Sequence, residues 1–253
     1  MAKVLVIIPA YNEAESISDV IAALQEQVPD YDIVVVDDGS ADSTSTIVRS
    51  ISNVDLIRLP YNMGIGSTMQ TGYKYAVLND YDVAVQCDGD GQHPVHQMKS
   101  IVDGVLEGKA DMIIGSRYVA DSDYTPSIFR RIGKSLLSRI VNSAVGGGVT
   151  DTTSGFRAMN RSVLASFAHS YPDDYPEAEV LVSLFKRGLK AVEVPVNMMP
   201  RQGGESSINS HRAFYYIIKV TLAIYISLFK NYSKIHEPNG PDAIPLNEKP
   251  ESH

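Results

Sequence analysis

Two aspartates one residue apart, Asp88 and Asp90, stand in CDGDGQHP (87–94) at the end of the apolar run DVAVQC (82–87). Oxygen ligands at this spacing suit Mg²⁺ or Mn²⁺, which proteins hold with one or two carboxylates while substrate phosphates complete the shell. Gln92 offers a third oxygen. A strand ending at residue 87 puts Asp88, Gly89 and Asp90 at the carboxyl edge of a sheet, where open α/β folds bind their ligands. Position carries this reading, because an Asp-x-Asp beside glycines is otherwise an ordinary turn. Two more polar segments follow apolar runs: IPAYNE (8–13), with Pro9, Tyr11 and Glu13, and VVDDGSADST (35–44), with Val36, Asp37 and Asp38. If each run is a strand, these residues converge beside the aspartate pair. No GxGxxG or Walker loop is present, which argues against dinucleotide and P-loop chemistry. Turn formation and helix capping are the competing explanation for Asp37 and Asp38.

The elements that must hold these segments are visible in the hydrophobic pattern. KVLVII (3–8), DIVVV (32–36), VDLIRL (54–59), DVAVQC (82–87) and ADMIIG (110–115) are short, β-branched and bounded by polar residues, so they predict strands. Ile17, Val20, Ile21, Leu24 and Val28 recur at helical spacing, with Asn12 and Glu15 placed as a capping box. Helices are expected over 42–52, 65–79 and 95–107, giving βαβ units and a mostly parallel sheet. Beyond residue 120 the pattern gives a helix near 127–145, a turn at Gly146, Gly147 and Gly148, and a strand-like KAVEVPV (190–196).

Composition narrows the class. A chain of 253 residues with 44% hydrophobic content buries a full core as one large domain. Its single cysteine forms no internal disulfide, and Cys87 reads as the filler of a buried strand position; a reducing, cytoplasmic compartment is expected. The net charge of −8 is uneven: residues 1–112 carry 6 Lys and Arg against 17 Asp and Glu, residues 113–219 carry 13 against 9, and residues 220–253 carry 3 against 4. That balance excludes a general nucleic-acid binder, while an acidic front recruits a cation and a basic middle holds phosphates or faces lipid. AFYYIIKVTLAIYISLF (213–229) is apolar but only 17 residues long and contains Lys219. Because about 20 residues are needed to span a bilayer, this predicts a helix lying in the membrane interface rather than crossing it, with a core or oligomer contact as the alternative. The expected organisation is a catalytic domain over 1–210, an amphipathic membrane-interface helix over 211–235 and a disordered tail over 236–253.

Taken in order, these segments resemble the family 2 glycosyltransferases, and most closely their dolichyl-phosphate mannose synthase-like branch, over about residues 3–210. The resemblance also covers Asn62, Gly64 and Gly66, GSRY (115–118), DTTSGFRAMNR (151–161) and RQGGESSI (201–208). It implies a GT-A-type (Rossmann-like), mostly parallel sheet with helices on both faces, plus the C-terminal interfacial helix. It also implies that Pro9, Tyr11, Glu13, Val36 and Asp38 meet the nucleotide sugar, and that Asp88, Asp90 and Gln92 bind the metal and diphosphate. Arg117 then lies at the reacting phosphate, Arg130, Arg131 and Lys134 hold an acceptor phosphate, and Arg201 closes over the donor. Arginine suits such roles because its planar fork grips phosphate oxygens in pairs. Where relatives often carry Gly-Glu-Ser-Lys, this chain has Gly204, Glu205, Ser206 and Ser207.

The implied activity is inverting, metal-dependent transfer of a sugar from a nucleotide-diphosphate sugar to a polyprenyl phosphate, peripherally at the inner face of the cell membrane. It would serve cell-envelope glycan or glycoconjugate synthesis. A small membrane-protein partner and a homo-oligomer both fit this reading. Two alternatives stay open. In one, the acceptor is a hydroxyl of a lipid-linked or growing glycan, needing a carboxylate base from among Asp151, Glu177 and Glu179. In the other, the chain is an inactive nucleotide-sugar-binding regulatory subunit.

Overall fold

The computed structural model describes residues 2–117, 150–172 and 176–199, together with Leu222, Tyr225, Ile226 and Phe229. Seven strands form one sheet: β1 (Val4–Ala10), β2 (Asp32–Asp37), β3 (Asp55–Arg58), β4 (Val83–Gln86), β5 (Met112–Ser116), β6 (Arg157–Asn160) and β7 (Ala191–Pro195). Their order is β3-β2-β1-β4-β6-β5-β7, and only β6 runs antiparallel to its neighbours. The six strands read from the apolar runs are all present, with ends shifted by at most two residues. β6 was not anticipated.

Side-chain alternation explains why the sheet is covered on both faces. Along β1 every residue is buried. Leu5 and Ile7 point into one core, with Val34, Val36, Met69 and Tyr73. Val4, Val6, Ile8 and Ala10 point into the other, with Ile17, Ile21, Leu24, Ile101 and Val102. A strand apolar at every position belongs in the middle of a two-sided sheet, and each such side chain contributes about 1.5–3 kcal/mol on burial. α1 (Ile17–Gln27), α2 (Thr44–Arg49) and α4 (Met98–Leu106) cover the second face. α3 (Ile65–Leu78), α5 (Arg161–His169) and α6 (Pro176–Lys186) cover the first. Tyr73, Phe167 and Tyr171 meet between α3 and the α5 end with ring centroids 5.1–5.5 Å apart.

One local expectation is corrected. Asn12 and Glu15 do not cap α1: the helix begins after Ser16, whose backbone N–H and that of Ile17 both donate to the Glu13 carbonyl. Asn12 instead adopts a left-handed φ of 55° and accepts from the Ala41 N–H through Oδ1. Tertiary contact to the next loop outcompetes the local cap. The helix near 127–145, the glycine turn at 146–148 and the tail fall outside the described residues.

Candidate active site

The carboxyl ends of β1, β2, β3 and β4 open on a cleft of about 570 Å³. Pro9, Ala10, Tyr11, Asn12 and Glu13 line it from the end of β1, Asp38 from β2, and Asn62, Gly64, Ile65 and Thr68 from the loop and helix after β3. Gln86, Asp88, Gly89 and Asp90 line it from β4, and Thr153 and Gly155 from the segment entering β6. Of the residues anticipated from the sequence, Pro9, Tyr11, Glu13, Asp38, Asp88, Gly89 and Asp90 thus meet in one place.

Three loops are stitched together to make one wall of the cleft. The Asn12 N–H donates to Ser40 Oγ and the Glu13 N–H to Thr44 Oγ1, both at 2.9 Å, and the Ala14 N–H reaches Asp42 Oδ2 at 3.1 Å. Asp38 accepts from the Met63 N–H at 2.7 Å and the Gly64 N–H at 2.9 Å, tying the β2 loop to the β3 loop. Gly39 makes this approach feasible: its φ is +70°, and a Cβ there would sit 2.6 Å from the Tyr61 carbonyl carbon. The adjacent Asp37 has a different task. Fully buried, it accepts from the Ser40 N–H and Ser45 Oγ–H and lies 3.6 Å from the Arg58 guanidinium, away from the cleft. Val36 is likewise fully enclosed, in the core that also holds Val34 and Met69, and does not line the cleft.

At the end of β4 the two carboxylates differ in exposure. The Asp88 side chain is about a third exposed, whereas Asp90 is buried. The Asp88 N–H donates to His93 Nδ1 at 2.9 Å, with His93 Nε2 3.5 Å from Asp88 Oδ2 and its ring against Phe156. Gln86 donates to Asp88 Oδ1 at 3.2 Å, and Asp90 Oδ1 accepts the Gln92 N–H at 3.0 Å. Gly155 leaves the space in front of Asp88, since a Cβ there would lie 3.2 Å from Asp88 Oδ2. Two carboxylates with an open face fit a small divalent cation that takes its remaining ligands from phosphate oxygens. Gln92, anticipated as a third ligand, is fixed through its backbone carbonyl to the Met199 N–H and does not line the cleft among the described residues.

Cys87 fills a buried position at the end of β4, as expected. Burial, then the nearby Asp88 and Asp90 charges, pushes its thiol well above its ordinary value. The folded protein should therefore give no reaction with DTNB at pH 8, and one thiol after unfolding in guanidinium. Titration of the native protein at the rate of a free thiol would contradict this placement.

Arg117, just past β5, is held by a fork of hydrogen bonds. Its Nε and Nη2 donate to the two oxygens of Asp151 at 2.9 Å each, and Nη2 also reaches Thr153 Oγ1, a cleft residue, at 3.0 Å. The Asp151 carboxylate is fully buried and the Arg117 side chain 26% exposed. Arg157, itself buried, donates to the Ser154 and Thr152 carbonyls and so shapes the segment that carries Thr153 and Gly155. Ala10, Asn12, Ile65, Thr68 and Gln86 were not assigned to the site from the sequence, and Thr153 and Gly155 were noted only within DTTSGFRAMNR. A polar Gln86 closing an apolar strand was the available signal for one of them. Arg130, Arg131, Lys134 and Arg201 lie outside the described residues, as does the Glu177 side chain. Glu179 sits on α6 and does not line the cleft.

Residues 5–167 match the domain described as glycosyl transferase family 2. A polyprenol monophosphomannose synthase of Mycolicibacterium smegmatis is 31% identical over 219 residues, 82% of this chain and 81% of that protein. An undecaprenyl-phosphate mannosyltransferase of Micrococcus luteus is 30% identical over 230 residues, 87% and 93% of the two. Among solved structures, glucosyl-3-phosphoglycerate synthase from Mycobacterium tuberculosis, crystallised with Mn²⁺, UDP and phosphoglyceric acid, superposes with a TM-score of 0.70 at 20% identity. That match covers 92% of this chain and 80% of the other, and establishes the shared GT-A-type fold.

Proposed function

The chain belongs to glycosyl transferase family 2 and is a glycosyltransferase; on that premise we propose that it moves a sugar from a nucleotide-diphosphate sugar to a polyprenyl phosphate, with inversion at the anomeric carbon. The observation that carries this reading is the cleft itself, in which Asp88 and Asp90 share one chamber with Thr153, the residue that touches the Arg117–Asp151 fork. The acceptor class is supported by the relatives named for polyprenol and undecaprenyl-phosphate substrates.

Asp88 and Asp90 would hold Mg²⁺ or Mn²⁺, which when bound neutralises charge on the departing diphosphate. The wall made by Pro9, Tyr11, Glu13 and Asp38 seats the nucleoside, and Arg117 supplies a fixed cation at the phosphate where charge develops. A phosphate monoester is mostly dianionic at neutral pH, its second pKa being about 6, so it attacks the anomeric carbon without a base. The structure accommodates that economy. Asp151, one of the three carboxylates considered as a base for a hydroxyl acceptor, is fully buried and engaged by both prongs of Arg117.

The membrane assignment draws support from the C-terminal segment. Leu222, Tyr225, Ile226 and Phe229 recur at helical spacing, all at least half exposed, with the Tyr225 and Phe229 rings 5.1 Å apart. Such an apolar stripe supports a helix lying in an interface at the cytoplasmic membrane face. No helix among the described residues is long and apolar enough to cross a membrane. Incubation of the purified protein with Mn²⁺, a panel of labelled UDP- and GDP-sugars and undecaprenyl phosphate should give a labelled lipid. Product formed only when a lipid-linked saccharide replaces the lipid phosphate would overturn the acceptor assignment, and binding of a nucleotide sugar with no transfer to either would favour a regulatory subunit.

A further inference from the structure

Glu193, on β7, is separated from β4 by β6 and β5 and does not line the cleft, yet hydrogen bonds link it to the peptide that carries the partner of Arg117. Its Oε1 accepts the backbone N–H groups of both Thr150 and Asp151, at 2.9 and 2.5 Å, and its Oε2 accepts the Thr150 hydroxyl at 2.6 Å. Three donors therefore converge on one carboxylate and fix the 150–151 peptide. The next link is the Asp151 carboxylate, aimed so that each oxygen meets one guanidinium nitrogen of Arg117. Pairing of β5 with β7, which sets Ile114 opposite Glu193 and lets the Val196 N–H donate to the Ser116 carbonyl, holds the arginine's own backbone to the same strand.

We propose that Glu193 is a positioning residue for Arg117, acting through the Thr150–Asp151 peptide, so that β7 sets the angle at which the guanidinium meets the reacting phosphate. This rests on the reading of Arg117 as the phosphate contact. Charge on Glu193 is not the essential property. A glutamine can place its Oε1 on the same two N–H groups and turn its amide toward the Thr150 hydroxyl, which then accepts instead of donating. Alanine removes all three acceptors at once and frees the peptide.

The test is a double-mutant cycle read in steady-state kinetics. Glu193→Ala should lower kcat on the order of tenfold to a hundredfold, the scale of a misplacement of about 1 Å, with the donor KM within about twofold. Glu193→Gln should restore kcat to within about threefold. In an Arg117→Ala background, Glu193→Ala should cost less than about twofold more. A full additional loss in that background would make Glu193 an independent structural residue and overturn the relay while leaving Arg117 at the site. An unaffected kcat in Glu193→Ala would do the same. If Arg117→Ala alone is silent, the reading of Arg117 fails and the relay with it. Glu193→Asp, which keeps the charge but withdraws the carboxylate by one methylene, enters the same cycle should the alanine variant not fold, and there too the loss must appear only where Arg117 is present and vanish in Arg117→Ala.

Discussion

Asp90→Ala should fold and yet transfer sugar on the order of 10³-fold more slowly, beyond the roughly 10–100-fold typical of losing a partner that merely orients a ligand. Asp90 is the more enclosed of the two carboxylates, and one of its oxygens already receives the Gln92 N–H. Alanine therefore removes a charge and a turn contact together. Asp90→Asn separates them, since the amide oxygen keeps the Gln92 bond while the charge is gone. If the carboxylate binds a cation, the asparagine variant is nearly as slow as alanine, and EDTA stops the parent enzyme until Mn²⁺ is restored. Turnover at the parent rate in EDTA, or by Asp90→Asn, would show that no metal sits on this edge.

Arg117→Ala should raise the barrier by about 2.7–4 kcal/mol, the scale of removing one preorganised donor at developing charge, which is roughly 100- to 1000-fold in kcat. Stability should fall as well. The fork satisfies a fully buried carboxylate, and removing one partner of such a pair typically costs about 3–5 kcal/mol. Arg117 is itself a quarter exposed, so the lower end of that range is expected here. Kinetics measured well below the thermal midpoint keep the two effects apart. Arg117→Lys adds a second control, because lysine keeps the charge but loses the planar fork. A change in kcat under about threefold for the alanine variant would remove Arg117 from the site.

How much of this could be read from the chain depends on whether a feature is local. The six parallel strands were legible because each is a short apolar run between polar residues, and burial on both faces demands that composition. β6 escaped because its four residues, Arg157–Asn160, begin with an arginine and end with an asparagine. Arg157 is tolerated inside the sheet because backbone carbonyls receive it, which no periodicity announces. α5 left a signal that went unused: Asn160 precedes Val163, Leu164 and Phe167, and its side chain caps the Val163 N–H at 3.1 Å. α6 likewise opens on Pro176, a preferred first helical residue.

The site divides in the same way. Asp88 and Asp90 were readable because a strand end followed by two acids is a local pattern, and Asp38 because its neighbours share one edge. The division of labour between Asp37 and Asp38 was not, since it depends on which of two adjacent side chains faces Ser45 and which faces Gly64. The joining of Arg117 to Asp151 spans 34 positions and exists only because β6 inserts between β4 and β5.

That reversed strand carries an evolutionary consequence. β5 leaves the sheet at the rim that holds the cleft, and β6, running the other way, re-enters from the same rim. The chain therefore leaves β5 and enters β6 on the working side. Sequence change between β5 and β6 can therefore accumulate while the wall that carries Asp38, Asp88 and Asp90 is inherited intact.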